Sequence, residues 1–215
     1  MRIVFSRHGN TFAPGDRVVW VGSETDLPLV ASGVAQAEAA AKALRRTGLV
    51  PSVIYSATLR RTRGYADIVV ANLGGGIEIV EDTRLNEVNY GPWAGRTSEE
   101  IERELGQGEA LAAWSQHDRW PEDAGWPTRR DALFAGITSF AEDLRRRHGG
   151  SGLKAPVMVV SSNGTLRFFA RLADPVCAKV EPPASFQMKT GHLGLMTEVD
   201  GDFCLERWNV TPEAL

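Results

Sequence analysis

The stretch MRIVFSRHGNTFAPG, residues 1–15, joins a short apolar run to a polar turn. The run at residues 3–5 holds β-branched and aromatic side chains, which predict a buried strand over residues 2–6. Arg7 and His8 follow where this strand ends. In an open α/β sheet, ligands bind at the carboxyl ends of the strands. The stretch therefore predicts a first strand that presents an arginine and a histidine to a cleft.

The rest of the chain alternates between segments typical of strands and segments typical of helices. Short apolar runs that end at polar turns predict strands, and apolar residues at helical spacing predict helices. Strands are predicted at residues 52–56, 77–82 and 157–162, with a late hairpin that turns at residues 200–201. Helices are predicted at residues 32–46, before the glycine run 74–76, at residues 129–148, and from Asn163 onward. This alternation indicates an α/β fold with parallel strands where helices connect them and an antiparallel hairpin at the edge.

Residues 88–127 differ in character from the rest of the chain. They hold four of the six tryptophans and several helix-breaking prolines. The composition predicts an excursion from the main sheet with one or two short helices. Since tryptophans more often pack than bind ligands, Trp93 is expected to pack. The roles of three others are left open: Trp114, Trp120 and Trp126.

The composition bounds the class of protein. The 215 residues carry a formal net charge of −3, which argues against a broad nucleic-acid surface because such a surface needs an excess of basic residues. No apolar run approaches the ~20 residues needed to cross a bilayer, and the first residues do not resemble a secretory signal. We therefore expect a cytoplasmic protein of one domain, residues 1–215, with no nucleic-acid or membrane partner.

Cys177 and Cys204 match no metal-binding spacing and are expected to be reduced, packed thiols.

Polar clusters follow the predicted strands at the ends where a cleft should form. They are FSRHGNT after the first strand, YSATLRR after the second, RLNEVNYGPWAG after the short strand at 77–82, and VVSSNGTLR at the end of the late one. Together they bring a histidine, several arginines, a glutamate and two helix N-termini towards one cleft. Helix N-termini favour anions through their free N–H groups, and arginines bind phosphate in a bidentate manner. The clusters therefore predict a phosphate site.

A histidine in such a cleft can attack phosphorus directly and form a phosphohistidine. The attacking nitrogen keeps its lone pair when a backbone carbonyl holds the proton on the other ring nitrogen. Flanking arginines neutralise charge on the transferred oxygens, and a nearby carboxylic acid protonates the leaving alkoxide and then activates water. This chemistry needs neither a metal ion nor a cofactor, and none is expected.

Five segments, in order along nearly the whole chain, resemble the motifs of the histidine phosphatase superfamily, also called the phosphoglycerate mutase-like family. They are SRHGNT (6–11), DLPLVASGVAQA (26–37), YSATLRRTRGYA (55–66), RLNEVNYGPWAG (84–95) and RWNVT (207–211). A lone Arg-His-Gly triplet would be a weak signal, but this ordered set is specific.

The resemblance implies a role for each matching residue. His8 would be the phosphorylated nucleophile, Arg7 and Arg61 would bind the phosphate, and Glu87 would be the proton donor. The resemblance also implies a three-layer α/β/α sandwich with a mostly parallel central sheet. In that fold the excursion at about residues 88–127 would cover the substrate.

One segment departs from the family pattern. The family has a second histidine in a segment like V-S-H-G-G-x-I-R, and here the run is VVSSNGTLR. Ser162 stands at the position of this histidine, and Asn163 replaces the glycine after it. Loss of a charged donor from a phosphoryl-transfer site costs on the order of 3 kcal/mol, about a hundredfold in rate. Ser162 and Asn163 are predicted phosphate-binding residues, and His192 is a possible auxiliary.

Two interpretations of the site stay open. In the first, turnover survives, with Asn163, the helix N-terminus at 163–165 and His192 making up for the missing histidine. In the second, the site holds a phosphorylated ligand without useful catalysis. The predicted function is hydrolysis of a small-molecule phosphomonoester through a phosphohistidine, with a phosphorylated small molecule as the partner. A catalytically weakened binder and a mutase-type phosphotransferase are the alternatives, and the oligomeric state is not predicted.

Overall fold

The computed structural model describes residues 1–149, 155–181 and 183–215 and contains a six-stranded mixed sheet. The strands are β1 (Arg2–Arg7), β2 (Val53–Ser56), β3 (Glu78–Glu81), β4 (Val157–Ser161), β5 (Leu193–Val199) and β6 (Asp202–Val210). Their order is β3-β2-β4-β1-β5-β6, with the first four parallel and the last two forming an antiparallel edge pair. The predicted α/β class, with its mostly parallel sheet and edge hairpin, is confirmed.

Within the described residues, six helices accompany the sheet. They are α1 (Ala31–Thr47), α2 (Arg60–Asn72), α3 (Ser98–Leu105), α4 (Gly108–His117), α5 (Arg130–His148) and α6 (Asn163–Ala170). Among them, α1 and α2 pack on one face of the sheet and α5 and α6 on the other. These four helices therefore form the two outer layers of an α/β/α sandwich.

Alternation along β1 divides the core between the two faces. Val4 packs with the alanine-rich face of α1, whereas Ile3 and Phe5 pack on the opposite side with α5 and α6 residues such as Phe140 and Phe169. Successive strand residues point to opposite faces, so a strand covered on both sides must be apolar throughout. This explains why the first strand is a continuous apolar run.

The carboxyl end of β1 is fixed by backbone hydrogen bonds from both sides. β1 lies between β4, to which it is parallel, and β5, to which it is antiparallel. The Arg7 N–H donates to the carbonyl of His192 at 3.2 Å, and the His8 N–H donates to the carbonyl of Ser161 at 3.1 Å. The backbone that carries the Arg-His pair is therefore rigid before any ligand arrives.

The excursion contains α3 and α4 and a cluster of aromatic rings. Trp93 and Trp114 are fully buried, and Trp126 contacts both of them edge-on, with ring centroids 4.9 Å and 5.3 Å away. Trp120 also contacts Trp126, at 5.0 Å. Edge-to-face aromatic pairs add stability beyond the area that they bury. These four tryptophans therefore act mainly in packing the excursion.

The expectation of reduced cysteines is wrong, because Cys177 and Cys204 form a disulfide with a Cα–Cα distance of 5.1 Å. The segment around Cys177 runs beside β6, where the Lys179 N–H donates to the Leu205 carbonyl at 2.8 Å. The disulfide joins residues 27 positions apart, and no local sequence pattern reveals it. Since disulfides are rare in reducing compartments, the bonded pair does not favour the expected cytoplasmic location, which stays a prediction. In the described parts of the chain, no helix combines the length and the apolar character required to span a bilayer.

Candidate active site

His8 stands at the centre of the predicted site, directly after β1. Its ring Nδ1 lies 2.7 Å from the carbonyl oxygen of Gly9. A carbonyl only accepts, so Nδ1 carries the proton and, in the neutral ring, Nε2 keeps its lone pair. Within the described residues Nε2 has no hydrogen-bond partner, and His8 lines a cavity. This is the tautomer that a nucleophilic imidazole needs.

The electrostatic surroundings keep His8 neutral. Its side chain is buried, with 5% of the residue exposed. Burial, and then the positive charges of Arg7 and Arg61, lower the pKa of His8 well below its ordinary value of 6.5. The imidazole therefore remains uncharged and nucleophilic at neutral pH.

A close contact between two glycines positions the loop that carries His8. A Cβ atom on Gly9 would lie 2.3 Å from the carbonyl oxygen of Gly33 in α1, and one on Gly33 would lie 2.3 Å from that of Asn10. Gln36 then ties the loop, because its side-chain oxygen accepts from the Asn10 N–H at 2.8 Å and its amide donates to Thr190 at 3.2 Å. Only glycine allows this approach, which accounts for both glycines in the sequence motifs.

Arg7 and Arg61 supply positive charge that no carboxylate of the described residues neutralises in an ion pair. Arg7 donates once, to the carbonyl of Met188 at 2.8 Å, and its buried Nε lacks a partner in the described residues. Arg61 donates to the carbonyls of Thr25 at 2.8 Å and Gly22 at 3.1 Å. Burial lowers the pKa of both groups, yet a guanidinium stays protonated at neutral pH. Each retains N–H donors for an anion.

Local hydrogen bonds place Glu87 beside the start of α6. The Ser161 hydroxyl donates to the carbonyl of Leu85, and the Thr165 hydroxyl donates to that of Asn86, both at 2.6 Å. The Glu87 carboxylate is buried and accepts from the Val88 N–H at 2.9 Å and the Gly164 N–H at 3.2 Å. The carboxylate lines the same cavity as His8.

Ser162 and Asn163, the predicted phosphate-binding pair, occupy different environments. Ser162 precedes α6 with only 1% of the residue exposed, and its hydroxyl has no partner in the described residues and does not line the cavity. Asn163 lines the cavity, and its Oδ1 accepts from the Met188 N–H at 2.9 Å, which leaves its amide nitrogen for a ligand. The α6 N-terminus is already engaged in part, because the Gly164 N–H binds Glu87.

His192 lies outside the cavity. Its Nδ1 is 2.9 Å from the carbonyl oxygen of Asn209. The residue touches the site only through its backbone, which accepts from Arg7. The structure does not bring the His192 side chain to His8, so the geometry gives no support to the auxiliary role.

Tyr90 is a site residue that sequence reasoning missed. It is buried, lines the cavity, and has no hydrogen-bond partner for its hydroxyl in the described residues. A Cβ atom on Gly164 would lie 2.5 Å from both the Tyr90 hydroxyl and Glu87 Oε1, so these two oxygens flank one point. Burial and the charge of Glu87 raise the pKa of Tyr90 well above its ordinary value of 10.0, so the hydroxyl stays a donor. The sequence signal that could have identified Tyr90 as a site residue is its position within the RLNEVNYGPWAG segment.

The cavity that joins these groups measures about 670 Å³. His8, Arg7, Arg61, Glu87 and Tyr90 form its inner end. The outer end is formed by residues 12–21, by the excursion and by the segment before β5, which contribute Phe12, Val18, Val19, Trp20, Val21, Ser98, Ser115, Gln187, Lys189 and Thr190. The inner end combines a neutral imidazole, two cations and one carboxylate, an arrangement suited to a phosphoryl group.

Comparison with known proteins places this geometry in a family context. A model of the histidine phosphatase superfamily (branch 1) matches residues 3–211. A 2,3-bisphosphoglycerate-dependent phosphoglycerate mutase of Nocardia farcinica is 32% identical over 117 residues, 52% of this chain and 48% of that protein. The chain thus spans about half the length of that relative. A glucosyl-3-phosphoglycerate phosphatase of Mycolicibacterium vanbaalenii is 30% identical over 168 residues, 77% of this chain and 70% of that protein.

Solved structures agree with the family match. A mycobacterial glucosyl-3-phosphoglycerate phosphatase has a TM-score of 0.76 at 26% identity, over 98% of this chain and 99% of that chain. The mycobacterial phosphatase has also been solved in complex with VO3.

Proposed function

The chain belongs to the histidine phosphatase superfamily, and from this premise we propose that it hydrolyses a small-molecule phosphomonoester through a phosphohistidine at His8. One observation carries the proposal. The His8 Nδ1–H is held by the Gly9 carbonyl, which leaves an uncharged Nε2 in a cavity with two guanidinium groups that have no carboxylate in an ion pair among the described residues. A dianionic phosphoryl group supplies the anionic partner that the two guanidinium groups do not have in an ion pair among the described residues.

The first step transfers the phosphoryl group to the enzyme. The Nε2 lone pair of His8 attacks phosphorus, an N–P bond forms, and the ester P–O bond breaks. The leaving oxygen takes the proton of the Glu87 carboxylic acid and departs as an alcohol. Arg7, Arg61 and the Asn163 amide bind the three transferred oxygens, and their donors stabilise the charge of the transition state.

The second step returns the enzyme to its starting state. Glu87, now a carboxylate, takes a proton from a water molecule that attacks phosphorus from the side the alcohol has left. The N–P bond breaks and inorganic phosphate forms. His8 regains its neutral tautomer because the proton has stayed on Nδ1, hydrogen-bonded to the Gly9 carbonyl, in both steps. One carboxyl group therefore acts first as acid and then as base.

Turnover and anion binding together test this proposal against its alternatives. We expect the protein to hydrolyse p-nitrophenyl phosphate and to be inhibited by vanadate. Vanadate binding without hydrolysis would support a binding protein instead, and failure of both would contradict the phosphate site. Interconversion of 2- and 3-phosphoglycerate, followed by phosphorus NMR, would show a mutase.

Tyr90→Phe is expected to lower kcat about tenfold with little change in KM. The substitution keeps the ring, which packs against Trp126 with centroids 4.8 Å apart, and removes only the donor beside Glu87. Steady-state kinetics check this expectation. Tyr55→Phe is the matched control, because its hydroxyl contacts His148 at 2.8 Å, away from the cavity. A Tyr90→Phe variant with the wild-type kcat would show that the hydroxyl does not stabilise the transition state.

Ser162→His is expected to raise kcat about 10- to 100-fold. It introduces a titratable donor where the family has its second histidine, and a cationic donor stabilises the transferred oxygens better than a neutral one. The gain should be larger at pH 6 than at pH 8, because the new imidazole must be protonated. Ser162→Asn, which adds bulk without charge, is the control and should show no gain. An unchanged rate in a folded Ser162→His protein would contradict our account of this position.

A further inference from the structure

The outer end of the cavity has two chemically different sets of lining residues. One is apolar and comes from residues 12–21, which we call the arm; its cavity-lining members are Phe12, Val18, Val19, Trp20 and Val21. The other described residues at the outer end are polar and, apart from one lysine, uncharged: Ser98, Ser115, Gln187, Lys189 and Thr190. Among the described residues that line the cavity, Glu87 is the only acidic one.

The arm is held in place by contacts with the excursion. Arg17 forms an ion pair with Glu100 and donates to the carbonyl of Gly95 at 3.2 Å. The backbone N–H of Trp20 donates to the carbonyl of Arg96 at 2.8 Å, and the indole N–H of Trp20 donates to the Ser98 hydroxyl at 3.1 Å. A wall fixed in this way binds a ligand without first having to become ordered, which favours affinity.

The arm presents more apolar surface than packing requires. Val18 is 64% exposed, and Trp20, although it packs edge-on against Tyr90 at 5.2 Å, still lines the cavity. The volume of about 670 Å³ lies within the range of pockets that enclose ligands much larger than phosphate. The space beyond the phosphoryl site therefore suits the alcohol portion of an ester.

Resting on the proposed function, we propose that the arm forms a subsite for an apolar alcohol, so that the preferred substrates are phosphomonoesters with an aromatic or alkyl body. The lining does not favour a second anionic group as the main determinant of substrate preference. Among the described residues at the outer end, Lys189 is the only cation, and its side chain is solvent-exposed, where ion pairs contribute little. The apolar side chains of the arm instead offer surface that a ligand can bury, and each buried methylene group strengthens binding about fourfold.

Phosphonates test this subsite without turnover, because their C–P bond is not hydrolysed. We expect calorimetry to show that 2-phenylethylphosphonate binds about 10- to 100-fold more tightly than ethylphosphonate. The carboxylate-bearing 3-phosphonopropionate should bind within about fivefold of ethylphosphonate. Equal binding of the first two ligands, or tightest binding of the carboxylate ligand, would overturn the proposal.

Substitutions in the arm test whether it causes the preference for 2-phenylethylphosphonate over ethylphosphonate. Trp20→Ala should reduce the phenylethyl-to-ethyl ratio to below about threefold, and Val18→Ser should reduce it about threefold. Val18→Ser keeps the test valid if Trp20→Ala fails to fold, because an exposed valine contributes little to folding. Val199→Ser is the matched control, since Val199 is 50% exposed and ends β5 far from the cavity. A ratio that both arm variants leave unchanged would contradict the assignment.

Turnover of ethyl phosphate and 2-phenylethyl phosphate separates the two proposals. Both esters release similar primary alcohols, so their kcat/KM ratio reports the subsite rather than the leaving group. A binding preference without turnover of either ester would leave the subsite standing and reject hydrolysis. Turnover of both at equal kcat/KM would leave hydrolysis standing and reject the subsite.

Discussion

His8→Ala is expected to reduce kcat/KM for p-nitrophenyl phosphate by about 10⁴-fold or more. The variant removes the only imidazole that lines the cavity within the described residues, so water must attack the ester directly. Arg7 and Arg61 are unaffected in chemistry and still bind the phosphoryl oxygens. The loss should therefore appear in kcat, while vanadate or phosphate binding persists.

A matched histidine outside the site separates this effect from general damage. His117 ends α4 and is exposed, so His117→Ala should keep the wild-type kcat and thermal stability. His8→Ala must also show cooperative thermal unfolding for its rate to be interpreted. Residual activity above about one hundredth of wild type in a folded His8→Ala protein would reject a nucleophilic His8.

Glu87→Gln is expected to lower kcat/KM about 10²- to 10³-fold for alkyl phosphates, and far less for p-nitrophenyl phosphate. Glutamine keeps the shape and one acceptor oxygen for the Val88 or Gly164 N–H. It cannot deliver a proton to an alkoxide. Because p-nitrophenolate leaves without protonation, formation of the phosphoenzyme from that ester should be almost unimpaired.

The leaving-group dependence is the informative part of this prediction. Steady-state and burst kinetics with ethyl phosphate and p-nitrophenyl phosphate measure it. Glu109→Gln, at the exposed start of α4, is the control and should change neither rate. An equal loss of phosphoenzyme formation with both esters would show that Glu87 orients the site and does not act as the acid.

Much of the fold was predictable because its determinants are local. The apolar run at residues 3–5 predicts a buried strand over residues 2–6, and the structure places β1, Arg2–Arg7, inside the sheet between β4 and β5. The long helix predicted at residues 129–148 is α5, Arg130–His148. Four segments that end in polar clusters meet in one cavity because parallel strands bring their carboxyl ends to the same edge.

What the sequence did not reveal depends on the path of the chain between these elements. The disulfide joins Cys177 to Cys204 through a segment without regular structure that runs beside β6. Tyr90 enters the cavity because Gly164 leaves room for its hydroxyl, a relation between segments far apart in sequence. His192 shows the reverse case, since a residue beside the strand end points its ring to Asn209 rather than into the cavity. Hydrophobic periodicity predicts neither the direction of the Tyr90 side chain nor that of the His192 ring.

Trapping the phosphoenzyme tests the central claim most directly. The protein is mixed with an ester carrying a radiolabelled phosphoryl group, quenched in alkali within one turnover, and digested for peptide mapping. We predict label on the peptide that contains His8, stable in alkali, lost in acid, and absent from His8→Ala. Hydrolysis that proceeds with no covalent label, or with label on another residue such as Ser162, would contradict it.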